Sequence, residues 1–169
     1  MKIADIEAIH LAIPFSSGGQ PQAGVWGAGG MSRVDSLVLK VTADDGRVGW
    51  GEAFGFVSIP AVSAAIQHIV APAVRGQRAD AIEPLMQDLQ RRFHIFGRSG
   101  AIMFALSALD IALWDLKGRA LGVPVHALLG GTRRTSIRCY ASLIRYTDPE
   151  VVARNVWRAV AGGYRHIKL

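Results

Sequence analysis

Five histidines (His10, His68, His94, His126 and His166) and thirteen carboxylates are the side chains of this 169-residue chain best suited to binding a metal or moving a proton. No pair of the histidines has the spacing of a zinc site, so each is expected to be structural or superficial. Asp110 and Asp115 are five residues apart on one predicted helix, about 140° around it, and cannot hold a metal jointly. Asp115 and Arg119 instead read as an i,i+4 surface ion pair. Glu52 ends a predicted strand and faces either a site or solvent. Cys139, the single cysteine, excludes an internal disulfide and is expected within a strand as a small core residue.

Two glycine-rich stretches invite comparison with phosphate cradles, and neither fits. Gly49-Trp50-Gly51-Glu52-Ala53-Phe54 has Phe where a third glycine belongs, and it leaves a hairpin strand. Gly27-Ala28-Gly29-Gly30-Met31-Ser32 precedes a strand and lacks the Gly-Lys-Ser/Thr ending. Both are read as turn and loop glycines. No Gly-x-Ser-x-Gly elbow is present.

Bulk properties narrow the class. Half of the residues are hydrophobic, enough for a sizeable core. The net charge of +6 arises entirely after residue 128, where eight scattered basic residues face only Asp148 and Glu150. They form no cluster interleaved with aromatics, which argues against nucleic acid. Asp5 and Glu7 interrupt the N-terminal apolar residues, unlike a secretion signal. The most apolar stretch, 101–116, is too short to span a membrane. A cytoplasmic location is expected.

The elements that must position any site follow from periodicity. Ile9, Leu11 and Ile13 alternate as a half-buried first strand ending at Pro14. A loop from Phe15 to Arg33 holds six glycines. Leu37, Leu39 and Val41 alternate before Asp44-Asp45-Gly46, and a strand follows to Glu52, which predicts a hairpin. Pro60 starts a helix with Val62, Ile66 and Ile69 on one face, and Asp80 to Glu83 has capping-box spacing. A helix of about 101–121, apolar almost all round, ends at Gly122. This is an α+β domain with a three-stranded antiparallel meander and helices.

After Gly130-Gly131 the pattern becomes β-α-β. A strand at Ile137–Ala141 is followed by a helix capped by Asp148 with Pro149 first, and a strand begins at Tyr164. A parallel pair with one crossover helix leaves its sheet uncovered, so further strands and helices are expected to follow.

The stretch Ser107–Gly131, reading SALDIALWDLKGRALGVPVHALLGG, closely resembles the end of the N-terminal capping domain in the enolase superfamily, in the mandelate racemase and muconate-lactonising enzyme family. GWGEA at Gly49–Ala53 resembles the family's hairpin exit, and GYRHIKL at Gly163–Leu169 its second barrel strand. The resemblance implies a capping domain over 1–128 and, over 129–169, the incomplete start of a (β/α)8 barrel. It also implies abstraction of the proton α to a carboxylate, with Mg held by acidic residues downstream of residue 169 and none within this chain. Lys168 matches the first lysine of the family's Lys-x-Lys pair, beside a base at position 170. Trp26, in the glycine-rich loop, and Phe54, in a second loop at about 53–58, become candidate substrate contacts of a lid. Ser142, at the end of the first barrel strand, is a further candidate.

The expected parent is a lyase or isomerase acting on a small carboxylate such as an acid sugar, as a homo-oligomer, with no nucleic-acid or membrane partner. The 169 residues alone are expected to be inactive. The competing expectation is a stand-alone, non-catalytic capping or oligomerisation module, or an inactive fragment.

Overall fold

The computed structural model describes residues 1–16, 18–19, 33–132 and 134–169. They divide into two compact units, one of residues 1–12 and 35–132, the other of 13–34 and 133–169.

In the first unit, strands β1 (Ile3–Pro14), β2 (Arg33–Ala43) and β3 (Val48–Ala53) form an antiparallel sheet in the order β1-β2-β3. β2 and β3 join through Asp44-Asp45-Gly46 as anticipated. Gly46 has φ +83°, and Asp45 Oδ1 accepts from the Arg47 N–H at 3.1 Å. Leu37, Leu39, Val41 and Ala43 are buried on one face. Their partners across the register are small: Leu37 faces Ala53, Leu39 faces Gly51 and Val41 faces Gly49.

Small residues are needed there because helix α4 (Ala101–Leu121) lies directly on β3. A Cβ on Gly49 would collide with the main-chain oxygen of Ala112, and one on Gly51 with that of Ala108. These are therefore strand glycines required by helix packing, which corrects their reading as turn glycines. α4 buries Ile102, Ala105, Leu106, Ala108, Leu109, Ala112, Leu113 and Leu116 and ends at Gly122, with φ +69°.

Helices α1 (Ile59–Ala65) and α2 (Ala71–Val74), joined by a π turn at Ile66–Val70, complete the core with α3 (Ile82–Arg92). The continuous helical run Phe56–Val74 is long and apolar enough to cross a membrane by length and composition. Its apolar residues Ile59, Val62, Ile66, Val70 and Val74 belong instead to the core cluster. The short α5 (Val125–Leu128) follows α4.

Two further expectations about local structure in this unit are corrected. In β1 the buried residues are Ile3 and Ile6, whereas Leu11 and Ile13 are exposed. Ile6 and Ala8 face the core, so the period of two turns residues 9, 11 and 13 to the other face. The capping box at Asp80 does not form: α3 is capped by Ala81, and the Asp80 carboxylate is taken by Arg78 at 2.6 Å. That bond holds the Asp80 pKa down at about 2.

In the second unit, the expected strand at Ile137–Ala141 shrinks to β4 (Ala141–Ser142). It pairs in parallel with β5 (Ile167–Lys168) around α6 (Pro149–Ala161). Cys139 precedes the pairing and is exposed, contrary to its reading as a core residue. Among the described residues the pairing covers only Ala141 and Ser142 of this segment, so Cys139 lies outside it. The α6 cap is as expected, with Asp148 Oδ1 accepting from the Glu150 N–H at 2.8 Å.

Candidate functional site

β4 and β5 carry two of the four candidate residues to one place. Parallel register sets Ser142 opposite Lys168 at the C-terminal ends of both strands. The Ala141 N–H donates to the His166 oxygen at 3.0 Å, and the Leu143 N–H to the Lys168 oxygen at 2.9 Å. Both side chains are exposed, and among the described residues the Lys168 ammonium has no hydrogen-bond or ion-pair partner. A cation beside a hydroxyl at the C-terminal edge of a parallel pair can hold a carboxylate oxygen: the ammonium supplies charge and the hydroxyl a directional donor.

Phe54 lies in the first unit, at the exit of β3, and is 57% exposed. Its ring packs edge-on against Phe56 (5.0 Å) and Phe104 (4.9 Å). The turn beneath is tightly built. Ser58 donates to the Gly55 oxygen through its hydroxyl (2.6 Å) and its N–H (2.8 Å), while Phe56 adopts φ +44°. A non-glycine residue in that conformation carries strain, which the surrounding turn must hold in place. Phe54 is thus an aromatic presented on a fixed turn. Trp26 lies outside the described residues.

The remaining chemistry-bearing side chains are used elsewhere. Glu52 is exposed and accepts from the Ser36 hydroxyl at 2.6 Å. Asp115 pairs with Arg119 at 2.7 Å as expected and also accepts from the Trp50 N–H at 2.9 Å. Burial pushes the Asp110 carboxyl up, opposed by a hydrogen bond from Trp114, with nearby Glu83 adding to the rise. Among the described residues no three His, Cys, Asp or Glu side chains converge as a metal set.

Sequence reasoning missed a cluster on α6. Arg154 Nη2 donates to the main-chain oxygen of Gly18 at 2.8 Å, beside the buried Asn155. The only signal was the glycine pair Gly18-Gly19, which composition alone assigns to a flexible loop.

Comparison with known proteins places this geometry. Residues 23–130 match the family model described as mandelate racemase / muconate lactonizing enzyme, N-terminal domain. A D-galactonate dehydratase of Verminephrobacter eiseniae is 39% identical over 134 residues, 79% of this chain and 34% of that protein. A D-gluconate dehydratase of Thermoproteus tenax is 38% identical over 135 residues, 79% of this chain and 27% of that protein. The chain thus spans about a third of the length of such relatives.

Among solved structures, a member of the enolase superfamily from Polaromonas sp. JS666 superposes with TM-score 0.85 at 31% identity, covering 100% of this chain and 44% of that one. A mandelate racemase/muconate lactonizing protein from Paracoccus denitrificans, complexed with magnesium, gives 0.76 at 34% identity, covering 98% and 41%. The antiparallel meander with its helices is that family's capping domain, the short parallel pair after it is the start of the barrel, and the chain belongs to the mandelate racemase/muconate lactonizing enzyme family of the enolase superfamily.

Proposed function

We propose that the full-length protein is a magnesium-dependent acid-sugar dehydratase, that residues 1–128 are its capping domain with a substrate lid, and that residues 129–169 begin its barrel. The observation that carries the reading is the pairing of Ser142 with Lys168 at one strand end, in a chain whose relatives are named D-galactonate and D-gluconate dehydratases.

In such a reaction the proton α to the carboxylate is removed, the β-hydroxyl leaves as water, and the enol tautomerises to a 2-keto-3-deoxy acid. Magnesium would stabilise charge on the carboxylate as the proton leaves. The described residues offer no set to hold it, so the ion is assigned to acidic side chains outside this stretch, and no step is drawn through it. The roles proposed for this stretch are positional. Lys168 holds a substrate carboxylate oxygen and, by its charge, favours the neutral form of a neighbouring lysine base. Ser142 donates to the same carboxylate. Phe54 and Trp26 cover the bound sugar and exclude water. The full-length protein is taken to act in the cytoplasm as a homo-oligomer.

The test is incubation of the full-length protein and magnesium with a panel of aldonic acids, D-galactonate and D-gluconate included, followed by detection of 2-keto-3-deoxy acids. Keto acid formation that chelation abolishes supports the reading. Racemised or cyclised product without water loss would replace dehydration by isomerisation. No turnover of any acid sugar would leave the non-catalytic capping module as the better account.

A further inference from the structure

The second compact unit contains residues 13–34 as well as 133–169, so the stem of the glycine-rich loop packs with the start of the barrel. The contacts are specific. Arg154, on α6, donates from Nη2 to the Gly18 oxygen at 2.8 Å. Ser16 Oγ accepts from the Gly18 N–H at 3.4 Å. A Cβ on Gly19 would fall 2.6 Å from Val151 Cγ1 and 3.4 Å from Tyr146 Cδ1, so the close fit of this stem to α6 and to the segment before it requires glycine. Val151 is β-branched and stiff, so it cannot swing aside cheaply.

Asn155 supplies an independent observation. It is only 9% exposed, and its side-chain amide lies beside Gly18, with Oδ1 3.7 Å and Nδ2 3.9 Å from a Cβ placed there. Among the described residues Nδ2 is buried without a hydrogen-bond partner. A buried, unpaired donor is costly, so this amide favours any seating of the stem that brings an acceptor to it.

We propose that α6 is the anchor of the substrate loop, with Arg154 and Asn155 as positioning residues: Arg154 clasps the stem at Gly18, and the Asn155 amide takes a main-chain oxygen of the stem when substrate is bound. The proposal rests on the reading of residues 15–33 as part of the lid. The two residues act on substrate affinity through the loop and touch no reacting atom.

The experiment uses the full-length protein and whichever aldonic acid it turns over, with amide hydrogen exchange of residues 15–19 read beside the kinetics. In Arg154→Ala, exchange at the stem rises and KM rises about tenfold with kcat little changed, the size of one charge-assisted hydrogen bond. Arg154→Lys, which keeps a donor, recovers part of both. Gly19→Ala behaves like Arg154→Ala, and adding Val151→Ala to it restores exchange and KM, because the removed methyls make room for the new Cβ. Asn155→Leu removes an unpaired buried amide, so Tm stays level or rises, yet KM increases.

Unchanged exchange at the stem in both Arg154→Ala and Gly19→Ala overturns the anchor. Faster exchange with unchanged KM overturns the positioning role, and the lid reading with it, while the anchor stands. Asn155→Leu with unchanged KM removes Asn155 from the proposal. If the protein turns over no acid sugar, the exchange measurements still decide the anchor, separately from the failure of the proposed function.

Discussion

The main-chain N–H of Trp50 donates to Asp115 Oδ2 at 2.9 Å, joining the edge strand of the sheet to the helix that packs on it. The same oxygen accepts from Arg119 Nε at 2.7 Å. Asp115→Ala leaves the N–H without that partner and is expected to cost about 1–3 kcal/mol. Asp115→Asn keeps an acceptor and should cost less. Urea unfolding of the two variants checks the order; equal losses would mean that the charge, and not the strand contact, matters.

Gly51→Ala tests the closeness of β3 and α4. The obstacle is the main-chain oxygen of Ala108, which no rotamer change removes. Overpacking of this kind costs typically about 1–3 kcal/mol, and the rigid obstacle puts Gly51→Ala at or above the upper end. Gly76→Ala is a useful contrast, since a Cβ there meets nothing within 4 Å and the penalty comes only from φ +79°. Thermal melts followed by circular dichroism should rank Gly51→Ala well below Gly76→Ala.

The Arg78–Asp80 bridge makes a prediction about pH. Asp80 has its pKa lowered to about 2, chiefly by the hydrogen bond from Arg78. A carboxylate with a depressed folded pKa stabilises the fold above its unfolded value of about 4, and the contribution fades as pH falls toward 2. Arg78→Gln should return Asp80 to the ordinary carboxylate range. A carbon-13 titration of the Asp80 carboxyl reads this directly, and an unmoved midpoint would discard Arg78 as the cause.

Lys168→Met in the full-length protein removes the charge and keeps most of the bulk. Loss of a group that orients the carboxylate and tunes a neighbouring base is expected to lower kcat by about 100-fold or more, in the range of general acid–base contributions. Ser142→Ala should act mainly on KM, by about tenfold, as one hydrogen bond. Wild-type kinetics in Lys168→Met would return Lys168 to the role of a solvated strand-end lysine.

Phe54→Ala separates covering the substrate from packing. The ring is 57% exposed and makes two edge-on contacts, so its loss should destabilise the first unit by about 1–2 kcal/mol. As a lid contact it should raise KM for the acid sugar, an effect that Phe54→Leu relieves only in part. A drop in stability with unchanged KM would leave Phe54 as packing alone.

What the sequence made legible was whatever depends on periodicity and on strong punctuation. The Asp45-Gly46 turn, the Pro60 helix start, the extent of α4 at Ala101–Leu121 and the Asp148 cap were all readable because each is decided within a few residues. The meaning of Gly49 and Gly51 was hidden, since the helix that forbids their side chains comes sixty residues later. The capping box failed for a local reason that its spacing rule ignores: Arg78, two residues earlier, competed successfully for the Asp80 carboxylate. Which face of β1 is buried was also hidden, because Ile9, Leu11 and Ile13 carry the stronger alternation and yet face away from the helices. At the candidate site, Ser142 and Lys168 came from family resemblance, and only their register brings them together. Arg154 and Asn155 had no local signature at all.

Among the described residues, the buried core cluster runs from Ile3 to Leu116 and draws on none between Ala8 and Leu37. The hydrophobic interior is therefore complete once α4 has left the ribosome, before β4 is synthesised, and the glycine-rich excursion adds only a slowly growing loop-closure entropy. The capping unit can fold on the nascent chain before α6 is made, and Gly18 and Gly19 meet α6 only once that helix has emerged. Order of synthesis and order of assembly then coincide.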